Sequence, residues 1–276
     1  MPSSRHTADV RPSRGLFDLD LKTLWSYREL LQVLVVRDLK VRYRQAALGV
    51  AWVVIQPLFA VLIFTVIFGM FAKMPSGGVP YPVFAYAALL PWTYFAEALR
   101  RGSTGLVAES ELVRKIYFPR LIIPLASVIA PLVDFAIASV VMFGLMAWYH
   151  VAPTWNLLAI PGLVLIAMAL AFSVSLWLGP FNVRFRDVMH TLPFLIQIWM
   201  YASPVIYPLS MVPEKWRDLY SLNPMVGVIE GFRWALLGKG DFSITSLTTS
   251  VVVIAVMLVG GLVYFKKSER AFADII

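Results

Sequence analysis

The sequence contains no cysteine, which excludes a disulfide framework, a thiolate metal site and a cysteine nucleophile. Charge is scarce as well: Asp, Glu, Lys and Arg make up 14% of the 276 residues, against about a quarter in soluble domains. The histidines, His6, His150 and His190, are scattered along the chain, and neither an H-E-x-x-H helix nor a G-x-S-x-G elbow occurs. A G-x-x-x-x-G-K-[ST] phosphate loop is missing too; Gly238-Lys239-Gly240 lacks its spacing and its hydroxyl residue. No catalytic, cofactor-binding or metal-ligating residue is therefore expected, and ATP hydrolysis through a P-loop of this chain is excluded.

What the chain has in excess is apolar sequence, 59% of its residues. A spanning helix takes about 20 consecutive apolar residues, and several windows reach that length. Six spans are expected, at residues 49–72, 81–99, 121–149, 157–181, 188–207 and 247–265, with Pro124 and Pro131 as kinks in the long third one. The expected fold is an all-α integral membrane protein, with one transmembrane domain over residues 16–276. Residues 1–15 are polar and rich in Pro, Ser and Arg, which predicts a disordered cytoplasmic tail; no apolar h-region follows them, which argues against a cleaved signal peptide.

An even number of spans puts both termini on one side, and cytoplasmic segments carry the excess of Lys and Arg. Residues 1–48, Arg100 to Arg120, Arg184 with Arg186, and the stretch after Phe265 together hold nineteen of the twenty-four. Lys73, Lys215, Arg217, Arg233 and Lys239 fall on the other side. Both termini are thus expected in the cytoplasm. This sidedness accounts for the net charge of +8, and with no nucleic-acid motif present a nucleic-acid partner is not expected.

Before the first span, apolar residues including Leu24, Trp25, Leu31 and Val35 recur at spacings of three and four, the pattern of an amphipathic helix. Arg37, Lys40 and Arg44 form one basic stripe, and Asp38 is spaced to pair with Arg42. Such a helix fits the inner headgroup region, with its cations toward anionic lipid. A topology anchor and a docking surface for a cytoplasmic partner are both open for it. Two acids lie inside apolar stretches. Glu97 is spaced to pair with Arg100 and Arg101, whereas Asp134 fits either an interhelical hydrogen bond or a pore-facing, proton-linked role.

Residues 208–242 form the longest segment on the outer side. Pro213 opens one short helix, and Asn223-Pro224 caps and starts a second that ends at Gly238. The second carries Met225, Val228, Ile229, Phe232 and Leu236 on one face, which predicts a helical hairpin dipping into the outer leaflet between spans five and six. Trp92, Tyr94, Phe95, Trp199, Tyr201 and Tyr207 sit near span ends, where interfacial belts and conduit lining are both open roles.

The order of several short motifs resembles type-2 ABC transporter permeases, in particular those exporting bacterial polysaccharides such as O-antigen and teichoic acid. The motifs are Arg37-Asp38-Leu39-Lys40-x-Arg42-Tyr43, Leu48-Gly49-x-x-Trp52, Gln56-Pro57 and Ile67-Phe68-Gly69, then Asn182-x-x-Phe185-Arg186-Asp187, Ser203 to Pro208, Asn223-Pro224 and Gly231-Phe232-Arg233. The resemblance runs from about Leu30 to Lys267. It implies a half-transporter in the bacterial inner membrane that pairs with a second copy and moves a lipid-linked glycan. It implies also a separate ATP-binding subunit, holding ATP and magnesium, that drives it.

It further implies that the loop after the second span docks that subunit through a coupling helix, Glu111 to Tyr117. Ser110 would cap this helix, with Glu109, Glu111, Arg114 and Lys115 as contacts; an ordinary solvated helix is the alternative. Trp25, Arg37, Lys40, Arg42 and Arg44 become its interfacial elbow. Trp92, Tyr94, Phe95, Asp134, Trp199 and Tyr201 are candidates for the conduit, and Tyr207, Trp216, Tyr220, Asn223, Phe232 and Trp234 for an outer gate. Export of small amphiphiles is the competing transport reading. An integral membrane glycosyl- or acyltransferase would need clustered acids and histidines, which the sequence does not show.

Overall fold

The computed structural model describes residues 21–44, 49–185, 187–240 and 242–275, and the expected tail at 1–15 lies outside them. Every regular element of the described chain is a helix. Two helices precede the first span, α1 (Leu21–Ser26) and α2 (Arg28–Arg44). Helix α3 (Gly49–Phe64) continues as a wider π-helical stretch, Thr65–Phe71, where Gly69 lies against the Tyr81 ring so closely that a Cβ would be 3.0 Å from its Cγ. The turn-forming stretch after it reverses the chain, with Gly77 and Gly78 at φ of 65° and 75°.

Helix α4 (Tyr81–Ala108) is 28 residues long, about 42 Å at 1.5 Å per residue, and nineteen of its residues are buried. It is the central post of the molecule, packed on α6 (Ile122–Ile129), α7 (Leu132–Trp148), α8 (Ile160–Arg184) and α11 (Pro224–Leu237). Small residues permit the closest approach: at Gly102 a Cβ would lie 2.2 Å from Ser175 Oγ on α8. In lipid, where the hydrophobic effect does not drive helices together, such contact is a main source of association. Helix α4 runs nine residues past the predicted end of the second span, so much of the predicted loop after Leu99 is helical.

The third span is two helices, broken at Ala130–Pro131. Pro124 does not kink the chain, because it falls in the first turn of α6, where its missing N–H has no helical partner to lose. The fifth span is shorter than predicted: α9 (Val188–Tyr201) stops at Ala202, and residues 202–208 turn back into the protein. Short α10 (Glu214–Ser221) leads to α11, and α12 (Ile244–Ile275) continues well beyond the predicted sixth span.

Among the described residues four helical stretches are long and apolar enough to cross a membrane: Ala51–Phe71, Ile122–Trp148, Trp155–Arg184 and Ile244–Glu269. Helix α4 carries Glu97, Arg100 and Arg101 and is enclosed by the others. Helix α11 departs most from its sequence reading. Thirteen of its fourteen residues are buried, so it is an interior helix with no lipid-facing side. The predicted hairpin partner α10 stays outside, with Trp216 and Leu219 exposed.

Candidate functional site

Two polar clusters lie at opposite ends of the bundle. The first forms where α2 meets α4, α7 and α5 (Ser110–Lys115). An apolar core holds these parts together: Leu34 of α2 packs in the same cluster as Val113 and Phe118, Ile122 and Ile123, and Phe265 and Phe272 of α12. Arg120 reinforces it, donating from its backbone N–H to Glu269 at 3.3 Å and lying 5.7 Å from the Phe272 ring.

On that base the basic stripe divides. Arg37 turns inward and grips Glu109 with both terminal nitrogens, Nη1 donating to Oε2 at 2.9 Å, while Nη2 also donates to Asp38 at 2.9 Å. The hydrogen bond that Arg37 donates to Glu109 is the largest cause that raises the Arg37 pKa, so the guanidinium stays charged. Arg42 bonds Glu97 at 3.2 Å and Asp134, and the Tyr43 hydroxyl donates to Asp134 as well. Burial, then that hydrogen bond, pushes the Tyr43 phenol up to about 12. The predicted Asp38–Arg42 pair does not form, since Asp38 is taken by Arg37 and Arg42 by the bundle. Lys40 and Arg44 remain exposed, and Trp25 is exposed under the guanidinium of Arg28 at 5.9 Å.

Glu97 completes this knot, accepting from Arg100 at 2.9 Å and from Arg101 at 2.6 Å, as the sequence spacing predicted. Asp134 sits in the first turn of α7, bonded between helices. A cleft of about 460 Å³ remains between α2 and the bundle, bordered by Arg37, Arg42, Arg101 and Glu109.

Helix α5 protrudes from this knot. Ser110 is its first residue rather than its cap; Glu109 holds the cap position and its carboxylate goes to Arg37 instead. Helix α5 ends at Lys115, so the predicted extent to Tyr117 shortens. Val113 and Phe118 anchor the segment, while Arg114, Ile116 and Tyr117 face outward and Lys115 pairs with Glu111 at 2.6 Å on the exposed side.

The second cluster closes the other end. Asn223 caps α11, accepting from Met225 N–H at 3.1 Å, and also accepts from Trp199 Nε1 at 2.8 Å. Its amide donates to Ala202 O and Ser203 Oγ, at 3.0 and 2.9 Å, so one side chain ties the end of α9 to the start of α11. Gly238 ends α11 at φ of 62°, the left-handed stop that the sequence predicted.

Sequence reasoning missed the central residues here, Glu230 and Arg233. Both are buried, paired at 2.7 Å, and Arg233 lies 3.7 Å from the Phe84 ring centre while donating to Val205 O at 2.9 Å and Tyr207 O at 3.4 Å. The i,i+3 spacing of an acid and a base beside an interrupted span was the available signal.

The remaining gate candidates divide between core and surface. Phe232 is fully buried against Phe135, and Trp234 stacks on Phe242 at 4.7 Å. Tyr207 and Tyr220 join hydroxyl to hydroxyl at 2.8 Å; burial, followed by that bond, raises the Tyr220 pKa well above its ordinary value. Trp216 is exposed beside Lys215. Of the conduit candidates, Trp92, Tyr94 and Phe95 are buried inside this one chain, with Phe95 edge-on to Trp199 at 5.0 Å, and only Tyr201 is largely exposed.

The sequence is similar to known proteins over nearly the whole chain. It is 30% identical to the O-antigen export system permease protein RfbA of Myxococcus xanthus, over 93% of this chain and 98% of that one. An RfbA of Klebsiella pneumoniae is 27% identical over 90% and 95%, and the polysialic acid transport protein KpsM of Escherichia coli 24% over 87% and 94%. The family model described as ABC-2 type transporter matches residues 29–237, from the start of α2 to the end of α11, and this multi-pass membrane protein belongs to that family.

Proposed function

We propose that this chain is the membrane-spanning permease subunit of an exporter that carries a lipid-linked polysaccharide, or its glycan chain, out across the bacterial inner membrane. The observation that carries the reading is the end-to-end similarity to O-antigen export permeases, which leaves no large part of either chain unmatched. The polymer would cross between two copies of the chain. Helix α9 supports this pairing, with two of its fourteen residues buried and Phe194, Leu195, Ile198 and Tyr201 exposed.

A separate ATPase subunit, with its ATP and magnesium, would dock on α5 and its outward-facing Arg114, Lys115, Ile116 and Tyr117. Closure of the ATPase pair would then be carried through Glu109 and Arg37 to α2, and through Arg42 and Asp134 to α7. Both termini would lie in the cytoplasm, and α10 with residues 202–211 would border the outer mouth.

Depleting the chain in its native host tests the reading. Surface polysaccharide is expected to disappear while its lipid-linked precursor accumulates inside, and re-expression restores export. Surface polysaccharide at its normal level without the chain would sink the reading.

A further inference from the structure

A cavity of about 480 Å³ lies at the end of the bundle far from α5, between α10 and the first turns of α12. Its size falls within the roughly 300–1,000 Å³ of small-molecule sites. Six hydroxyl residues line it: Ser210, Ser221, Ser243, Thr245, Ser246 and Thr249. Arg217 and Asp218 supply its charges, and they cancel.

The wall is built as well as polar. Arg217 is held by donating from Nε to Val212 O at 2.9 Å and from Nη2 to Ser210 O at 3.2 Å, which fixes the guanidinium at the rim. Thr249 donates its proton to Thr245 O at 3.0 Å, leaving its oxygen lone pairs free to accept. Ser246 is 8% exposed, and among the described residues its Oγ has no hydrogen-bond partner. A buried hydroxyl left unpaired is unfavourable, which favours rotation of this side chain toward the cavity, where a guest would bond it.

The lining selects the chemistry of that guest. A free anion would meet Asp218, and a calcium ion needs six to eight oxygen ligands of which a carboxylate set forms the core, whereas one carboxylate is present here. A sugar fits both counts: each of its hydroxyls donates and accepts, and the wall offers hydroxyls that do the same, a guanidinium that donates and a carboxylate that accepts. We propose that this cavity is an outer-mouth subsite for one neutral sugar unit of the exported chain. The assignment rests on the polysaccharide export reading and adds to it a place where the emerging glycan is held. A sugar bound there retards back-sliding between transport strokes.

The natural absence of cysteine gives a direct test. Single variants Thr245→Cys and Ser243→Cys, both at exposed positions lining the cavity, and Lys215→Cys, outside it, are placed in spheroplasts of the native host. They are then treated with a membrane-impermeant maleimide. In cells making the glycan, labelling at positions 245 and 243 is expected to be about fivefold slower than in glycosyltransferase-deficient cells, as for a site whose ligand stands at about four times its Kd. Labelling at position 215 is expected to be equal in both.

Equal rates at 245 and 243, with surface glycan present, would overturn the subsite and leave the export reading intact. Loss of labelling at all three positions in intact spheroplasts would overturn the placement of the cavity at the outer mouth. Unchanged surface glycan on depletion of the chain would overturn the export reading and the subsite with it.

Discussion

Arg233 is 1% exposed, and a charge so buried persists only when its surroundings answer it. Glu230 answers the charge, the Phe84 ring covers its face, and the carbonyls of Val205 and Tyr207 take its protons. Those carbonyls belong to the non-helical return after α9, so one guanidinium stands in for the backbone bonds that the interrupted span lacks. Replacing Arg233 with Met is expected to cost about 3–5 kcal/mol, since it breaks the buried ion pair with Glu230 from one side. Adding Glu230→Met should recover a large part of that loss. Thermal unfolding in detergent measures both, and a single variant as stable as the parent would show that the pair carries no such role. In the sequence these residues look like ordinary charges on an outer loop, because nothing local announces that α4, α8 and α12 will enclose them.

At the scale of elements, the tie between α2 and α5 separates position from stability. The Arg37–Glu109 pair is partly open to solvent, so its loss should cost about 1 kcal/mol or less, and the fold survives. Its use is geometric: it sets the cap of α5 against α2, two elements 72 residues apart. Arg37→Glu places two carboxylates against each other, and a severalfold fall in transport-linked ATP hydrolysis by the reconstituted complex is expected. The swap Arg37→Glu with Glu109→Arg should restore it. Single variants with unchanged hydrolysis would remove this route of coupling. The sequence showed α2 and α5 separately, by periodicity and by charge placement, but gave no sign that the stripe would divide, with Arg37 and Arg42 turned inward and Lys40 and Arg44 outward.

At the scale of the molecule, sidedness is the strongest expectation. Tyr117 is 74% exposed beside α5, and Lys215 lies on α10 at the other end. In a chain without cysteine, Lys215→Cys should react with an impermeant maleimide in intact spheroplasts, and Tyr117→Cys only after lysis. The reverse pattern would invert the orientation argued from Lys and Arg.

The sequence by itself determined four long apolar stretches, the cap at Asn223 and the stop at Gly238, because these depend on composition or on bonds within a few residues. Proline was legible only in part: Pro131 breaks the chain as expected, whereas Pro124, also expected as a kink, is accommodated in the first turn of α6. Only the tertiary structure decided that α4 is the enclosed post, that α11 is interior on every side, and that Trp92, Tyr94 and Phe95 are buried within the chain. The reason is that an apolar helix reads alike whether lipid or protein surrounds it. Which neighbour covers each face depends on close approaches such as Gly102 against Ser175, between residues 73 positions apart in sequence.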